Sequence, residues 1–374
     1  MKKVLQWLKK EVVLVAAWLL AVISMFFVHP NREYVTYIDW RVLGILLTLM
    51  LIMAGLRKHG LFDCIAEALL ARTRRLWQLA AILVFLCFFF SMLITNDVAL
   101  ITFVPFAILV LDKAGQKKQT LKIVVLQTIA ANMGSMLTPL GNPQNLYLYN
   151  LSGYSLGQFL KIMLPYTGVA AVLLVIAILT LRGKQEAIAY EKEEREGKRA
   201  SRFKVPVYLI LFALSIAVVC RVLPWQGVMV ATVLLVVVLD YELMFQVDYS
   251  LLLTFVGFFL FTGNMAKIPA ISNWLQNLVQ GREYLVSILT SQVISNVPAT
   301  LLLSGFTWDY RTLIIGVNVG GLGTLIASMA SLISYKAYAS AETENKGRYI
   351  LRFTLVSLAF LAVLTGCYLL IDRV

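Results

Sequence analysis

The sequence predicts an all-α polytopic membrane protein of two inverted repeats, with about nine full spans, two re-entrant helical hairpins and helices broken at the midplane. Three observations predict it. Of 374 residues, 60% are hydrophobic and 14% charged, with mean hydropathy +0.81, whereas a soluble domain carries about 25% charged residues. The apolar residues fall in runs close to the length that crosses a hydrocarbon core of about 30 Å. Two short polar patterns recur in the same order along the two halves.

The expected full spans are 11–28, 39–56, 122–138, 158–181, 205–222, 226–239, 248–266, 310–336 and 349–371. The first follows Lys2, Lys3, Lys9 and Lys10. It is longer than a signal-peptide core and no A-x-A site follows, so it reads as an uncleaved span. Stretches 76–111 and 283–304 are apolar but each is interrupted by a polar cluster. Cys64, Cys87, Cys220 and Cys367 lie far apart with no C-x-x-C spacing, which argues against both metal ligation and disulfides.

The net charge of +13 sits in short loops between apolar runs, the pattern of the positive-inside rule. No basic stripe is interleaved with aromatics, so nucleic acid is excluded as a partner and the lipid bilayer is expected instead. With the N-terminus cytoplasmic, loops 57–75 and 112–122 are both basic and both inside. The segment 76–111 must then return to the side it came from, a re-entrant hairpin with its tip at Thr95-Asn96-Asp97. Irregular backbone at that depth is tolerated only where it is packed in protein or lines a wet cavity. The second hairpin, 283–304, has sparsely charged flanks and opens from the outside, with its tip at Ser295-Asn296-Val297. The C-terminus falls outside. One loop runs against this pattern: 240–248 is nominally inside and carries only acidic charge.

Three regions follow. Residues 1–181 form the first repeat, with hairpin 76–111 and broken helix 122–146. Residues 182–225 are a cytoplasmic linker loop and a connecting span. Residues 226–374 form the second repeat, with hairpin 283–304 and broken helix 310–336. The tips read I-T-N-D-V-A and I-S-N-V-P-A, and each is followed by N-x-G-x-x-x-T: Asn132, Gly134 and Thr138, then Asn318, Gly320 and Thr324. Beyond the threonines, 141–146 aligns with 327–332. Opposite hairpin orientations make the repeats antiparallel.

The chemistry at these positions suits transport. Each tip starts a helix, whose unpaired N–H groups and partial positive charge favour an anion. The expected substrate-binding residues are Thr95, Asn96, Asn142, Asn145, Ser295, Asn296 and Ser328. Pro139 and Pro143 break the first N-x-G span, and Gly320, Gly321 and Gly323 loosen the second. Freed carbonyls with Asn and Thr side chains are hard oxygen ligands for a small cation. The expected cation-coupling residues are Asp97, Asn132, Gly134, Thr138, Asn318, Gly320 and Thr324. An ionised carboxylate at a helix centre costs about 2.5–3.5 kcal/mol on insertion scales. Asp97 is therefore read as a coupling group, with an N-cap for 98–111 as its structural alternative.

No catalytic residue and no cofactor are expected, nor any metal beyond Na+ as a coupling ion. His29 and His59 lie at span ends, and neither H-E-x-x-H nor G-x-S-x-G occurs.

The T-N-D-V-A-L tip, the N-M-G-S-M-L-T-P-L-G-N-P-Q-N-L stretch and the S-N-V-P-A tip resemble the ion-transporter superfamily. That group includes divalent-anion/sodium symporters, citrate-transporter-like permeases and arsenite-efflux permeases, and the resemblance is nearest to a citrate-transporter-like anion permease. It covers the chain from about residue 39 to 371 and implies a homodimer whose transport part moves like an elevator against a scaffold. The symporters carry Ser-Asn-Thr at both tips to grip a carboxylate. Here the third positions are Asp97 and Val297, and an aspartate at the first tip resembles the arsenite-efflux and other permease branches. The expected function is secondary active transport of a small carboxylate or inorganic oxyanion across the inner membrane, coupled to Na+ or H+. A cation/proton antiporter on the same fold is the alternative, ahead of a passive channel or a membrane enzyme.

Overall fold

A computed structural model describes residues 11–70, 73–188, 201–341 and 346–372. Among them the chain is helical, with a single isolated antiparallel bridge between Arg75 and Ala187 and no strand. The helices are α1 Val12–Met25, α2 Tyr34–Tyr37, α3 Trp40–Lys58, α4 Leu61–Leu70, α5 Leu76–Ile94, α6 Asn96–Lys113, α7 Thr120–Ser135, α8 Pro143–Ser152 and α9 Leu156–Leu179. They continue with α10 Lys204–Val219, α11 Trp225–Asp240, α12 Tyr249–Ala266, α13 Pro269–Val279, α14 Glu283–Ile294, α15 Asn296–Leu303, α16 Tyr310–Val319, α17 Met329–Ala341 and α18 Lys346–Ile371.

Among the described residues six stretches are long and apolar enough to cross a membrane: α3, α5, α9, α11 with its 3₁₀ extension to Phe245, α12 and α18. Five of these belong to the nine expected full spans, and the sixth, α5, lies in the stretch 76–111 expected as a hairpin. The other four expected spans differ in length or continuity. Helices α1 (14 residues) and α10 (16 residues) are apolar but short, since at about 1.5 Å per residue they rise only roughly 21–24 Å. The expected spans 122–138 and 310–336 are not continuous. Helix α7 ends at Ser135 and α8 begins at Pro143; α16 ends at Val319 and α17 begins at Met329. The first break is fixed locally. Pro143 opens α8, and the Asn142 side chain caps it by accepting from Asn145 N at 2.9 Å.

The element order runs twice. α3 to α9 and α12 to α18 each give a long helix, a shorter helix, two helices joined at one residue, a helix that breaks, its continuation and a final long helix. Asp39 and Asp248 cap the two leading helices from equivalent positions, accepting from Val42 N and Leu251 N at 3.0 Å. The one-residue joints are Thr95 (φ 71°, ψ 148°) and Ser295 (φ 73°, ψ 156°). A non-glycine residue held there costs about 1–3 kcal/mol, so neither is a casual turn. At both, the next N–H is donated to the facing break, Asn96 N to Gly141 O and Asn296 N to Ala327 O, each at 3.0 Å.

Packing crosses between the two series: α1 lies on α12, α11 lies on α3, and α17 lies on α6 and α7. Helix α7 is buried along its whole length from Ile123 to Ser135. Gly134 allows this. It is still helical, and a Cβ there would fall 2.0 Å from Phe88 O and 2.6 Å from Ser91 Oγ on α5. Its role is close approach; in the equivalent place just past α16, a Cβ on Gly320 would lie 3.0 Å from Ser291 Oγ. Large apolar side chains such as Phe89, Val172, Val238, Val293 and Leu370 are exposed, the outward face of a protein solvated by lipid.

The acidic loop that ran against the charge pattern has a structural reason. Asp240, its side chain 2% exposed, meets Lys58 Nζ at 2.9 Å, Lys204 Nζ at 3.0 Å, His59 Nε2 at 2.8 Å and the Tyr208 hydroxyl at 3.0 Å. Asp240, and Glu242 through Lys58, are thus paired with the basic ends of α3 and α10, which places all three termini at one level. Residues 184–188 run along the start of α5, with Leu76 N donating to Glu186 O and Trp77 N to Lys184 O. The charged run Glu191–Glu196 and the N-terminal lysines lie outside the described residues.

Candidate functional site

The two breaks face each other across the centre of the molecule, and their side chains interlock. Asn132, on α7, uses both ends of its amide: Oδ1 accepts from Ser328 Oγ at 3.0 Å and Nδ2 donates to Ser331 Oγ at 3.1 Å. Asn318, on α16, does the same in the opposite sense of chain order. Its Oδ1 accepts from Asn142 Nδ2 at 3.1 Å and its Nδ2 donates to Asn145 Oδ1 at 2.6 Å. Ser328 and Ser331 are the aligned partners of Asn142 and Asn145, so the hydrogen-bond directions as well as the residues repeat.

All six side chains are nearly fully buried, Asn132 being the most exposed at 5%. Buried amides are costly unless paired. Here the pairing holds the end of one helical series to the break of the other. The hairpin tip joins on one side: Asn96 Nδ2 donates to Asn132 Oδ1 at 3.2 Å, and Asn96 Oδ1 accepts from Asp97 N at 3.0 Å. On the other side the match is incomplete. Asn296 Oδ1 takes the Ser295 hydroxyl at 3.4 Å and its amide does not reach Asn318.

The sequence-predicted residues therefore divide. Asn96, Asn132, Asn142, Asn145, Asn318 and Ser328 form the network. Thr95, Ser295 and Asn296 make the tips that abut it. Thr138 donates its hydroxyl to Met92 O, and Thr324 donates its backbone N–H to Gln292 Oε1 at 2.9 Å. Among the described residues the Thr324 hydroxyl and Gln144 Oε1 are buried without a hydrogen-bond partner. Asp97 lies in the first turn of α6 and is half-buried. Its carboxylate makes no hydrogen bond or ion pair among the described residues, and Thr95, not Asp97, is the N-cap position.

Ser331, aligned with Asn145 by the repeat, belongs to the network although it stands outside the expected site residues, and two further participants were missed. Ser135 receives Asn142 Nδ2 at 3.3 Å. Gln292 donates to Gly320 O at 2.9 Å and Leu322 O at 2.8 Å, and its repeat partner, Met92, carries no signal for it.

The site is neutral apart from Asp97. No group of three His, Cys, Asp or Glu side chains able to hold a metal occurs among the described residues. What the arrangement offers is a set of oriented amides and hydroxyls at two helix starts and two breaks, suited to binding and release and lacking a nucleophile–base pair.

Residues 4–306 match the family described as Citrate transporter. The chain is 31% identical over 355 residues to the inner membrane protein YbiR of Escherichia coli, covering 93% of this chain and 92% of that one. It is 30% identical over 330 residues to the uncharacterized transporter MJ0456 of Methanocaldococcus jannaschii, covering 88% and 89%. A shorter match, 31% over 153 residues, reaches the silicon efflux transporter LSI3 of Oryza sativa subsp. japonica, covering 40% of this chain and 31% of that one. With its long apolar helices and a buried polar centre, the chain belongs to the citrate transporter family, as a multi-pass membrane transporter.

Proposed function

We propose that the protein is a secondary active transporter that moves a small anion, a carboxylate or an inorganic oxyanion, across the inner membrane with Na+ or H+ as the coupling ion. The observation that carries this reading is the reciprocal crossing of Asn132 to Ser328 and Ser331 with Asn318 to Asn142 and Asn145. Such a crossing is what two inverted repeats, 1–181 and 226–374, produce around a central site, with 182–225 as the linker between them. Hairpins 76–111 and 283–304 enter from opposite sides in this reading. The 19 residues of α5 are long enough to reach well past the midplane before the chain turns at Thr95.

The two tips divide the work. Asp97 already supplies negative charge to the first turn of α6, whereas the first turn of α15 has none. Its partial positive charge is left for the substrate. The anion then binds against Ser295 and Asn296, with Thr95, Asn96, Asn142, Asn145 and Ser328 completing its surroundings. Coupling rests on Asp97, supported by Asn132, Gly134, Thr138, Asn318, Gly320 and Thr324. Movement is of the elevator type in a homodimer, the hairpins and breaks travelling against α1, α3, α10, α11 and α12. The inner-membrane location follows the name of the Escherichia coli relative.

Thermal unfolding of the detergent-purified protein tests this against a grid of sodium, pH and dicarboxylates, citrate, sulfate, phosphate and arsenite. A ligand at a hundredfold excess over Kd stabilises by about 2.7 kcal/mol. Stabilisation by one anion class supports the carrier and names its substrate. Stabilisation by sodium or pH alone, with no anion adding to it, replaces it with a cation/proton antiporter.

A further inference from the structure

The carbonyls freed by the two breaks were the expected cation ligands, yet both sets are already engaged. In the first half, Asn145 Nδ2 lies 3.3, 3.2 and 3.1 Å from the carbonyl oxygens of Ser135, Met136 and Thr138. In the second half, Gln292 Nε2 lies 2.9 and 2.8 Å from those of Gly320 and Leu322. Aligned on Thr138 and Thr324, Met136 and Leu322 are equivalent, so the same carbonyl is capped twice. The two amides come from different elements, α8 and α14. Their own repeat partners, Ser331 and Met92, carry no amide, so the two halves reach one arrangement by separate routes.

An amide could in principle turn over and offer its oxygen, which would make both niches oxygen-only. The other ends of both side chains forbid it. Asn145 Oδ1 accepts from Asn318 Nδ2 at 2.6 Å, and Gln292 Oε1 accepts from Thr324 N at 2.9 Å. A flip would set donor against donor there while leaving the carbonyls without a donor. Each NH2 therefore points its partial positive charge at the spot where those carbonyls converge.

We propose that Asn145 and Gln292 are tethered amide donors that take the place of a bound monovalent cation at the two breaks, so that neither break takes up sodium. This deepens the transport reading and rests on it: with the carbonyls engaged, coupling falls to a proton on Asp97 and not to sodium at either break or at Asp97.

The test compares unfolding temperatures of the full-length protein in sodium chloride and in choline chloride at equal ionic strength. It uses the wild type, Gln292→Glu and Asn145→Asp. Each substitution is isosteric and turns the capping donor into a carboxylate among carbonyls, an oxygen-only niche that needs a cation or a proton. The wild type is expected to unfold at the same temperature in both salts. Each variant should unfold several degrees lower in choline and recover on adding sodium or on acidification. A saturable sodium-specific stabilisation of the wild type overturns the proposal, as does a variant that matches the wild type in choline. Should Gln292→Glu fail to fold, Asn145→Asp and the wild-type comparison still decide it. The anion panel, run in both salts, separates the two readings. An anion that stabilises only in sodium overturns this proposal and keeps the carrier; no stabilising anion in either salt sinks the carrier, while the salt comparison still judges the amides.

Discussion

Asn132 serves three partners with one amide, Asn96, Ser328 and Ser331, and all of them are buried. Removing it strands a buried amide and two hydroxyls, at about 1–3 kcal/mol for each group left unsatisfied. We expect Asn132→Ala and Asn318→Ala each to lower stability by about 2–4 kcal/mol on that basis and to abolish substrate-dependent stabilisation, read together by thermal unfolding. Asn132→Asp keeps the acceptor and loses the donor to Ser331, so it should fall between wild type and alanine. Gly134→Ala tests a different kind of contact. Its new methyl would sit 2.0 Å from a backbone carbonyl on α5, which cannot swing away as a side chain could. Overpacking typically costs about 1–3 kcal/mol, occasionally more; we expect Gly134→Ala to reach or exceed the upper end. A change that leaves the unfolding temperature untouched would mean that α7 does not press on α5. Most of these residues were legible in the sequence because the repeat doubled the signal at Asn132/Asn318 and Gly134/Gly320. Gln292 was not legible, because its role depends on carbonyls 28 and 30 residues away and its repeat partner is a methionine.

At the scale of elements, the breaks were readable where chemistry forces them and elusive where geometry does. Pro143 cannot continue α7, and the glycines after Asn318 mark the second break. The lengths were harder, since an apolar run reports hydrophobicity and not where its helix stops. Residues 76–111 read as a hairpin turning at Thr95-Asn96-Asp97, and the two helices that meet at Thr95 run 19 and 18 residues, the second on to Lys113. The acidic loop after α11 was read as an exception to the charge pattern because pairing across 181 residues, Asp240 to His59, leaves no local trace. That cluster joins α3, α10 and α11, and it yields a prediction. Removing one partner of a buried ion pair costs about 3–5 kcal/mol, less here because Lys58 and Lys204 are 30% and 31% exposed. Asp240→Ala should destabilise by about 2–3 kcal/mol on that reduced scale. Glu242→Ala removes an exposed partner of the same lysine and should change stability by less than about 1 kcal/mol. Equal effects of the two would show that the buried carboxylate does not hold these helices together.

For the whole molecule, the reciprocal network is compatible with a transport cycle only if the two hairpins open to opposite sides of the membrane. Symmetry of contacts alone does not fix that orientation, but accessibility does. Lys118, in the connection between α6 and α7, and Arg282, in the turn before α14, are both exposed and lie at the mouths of the two hairpins. Neither takes part in the network, so a cysteine at either place leaves the site intact. In a background with Cys64, Cys87, Cys220 and Cys367 replaced by serine or alanine, Arg282→Cys should react with a membrane-impermeant maleimide in spheroplasts. Lys118→Cys should react only after the membrane is opened. Basic loops are retained inside, and Lys113, Lys117 and Lys118 cluster at the first mouth while the second has Arg282 alone. Labelling of both cysteines from one side would make the repeats parallel. The crossing of Asn132 and Asn318 would then be a packing device shared by two like-oriented halves, and a site exposed alternately to the two sides would lose its basis.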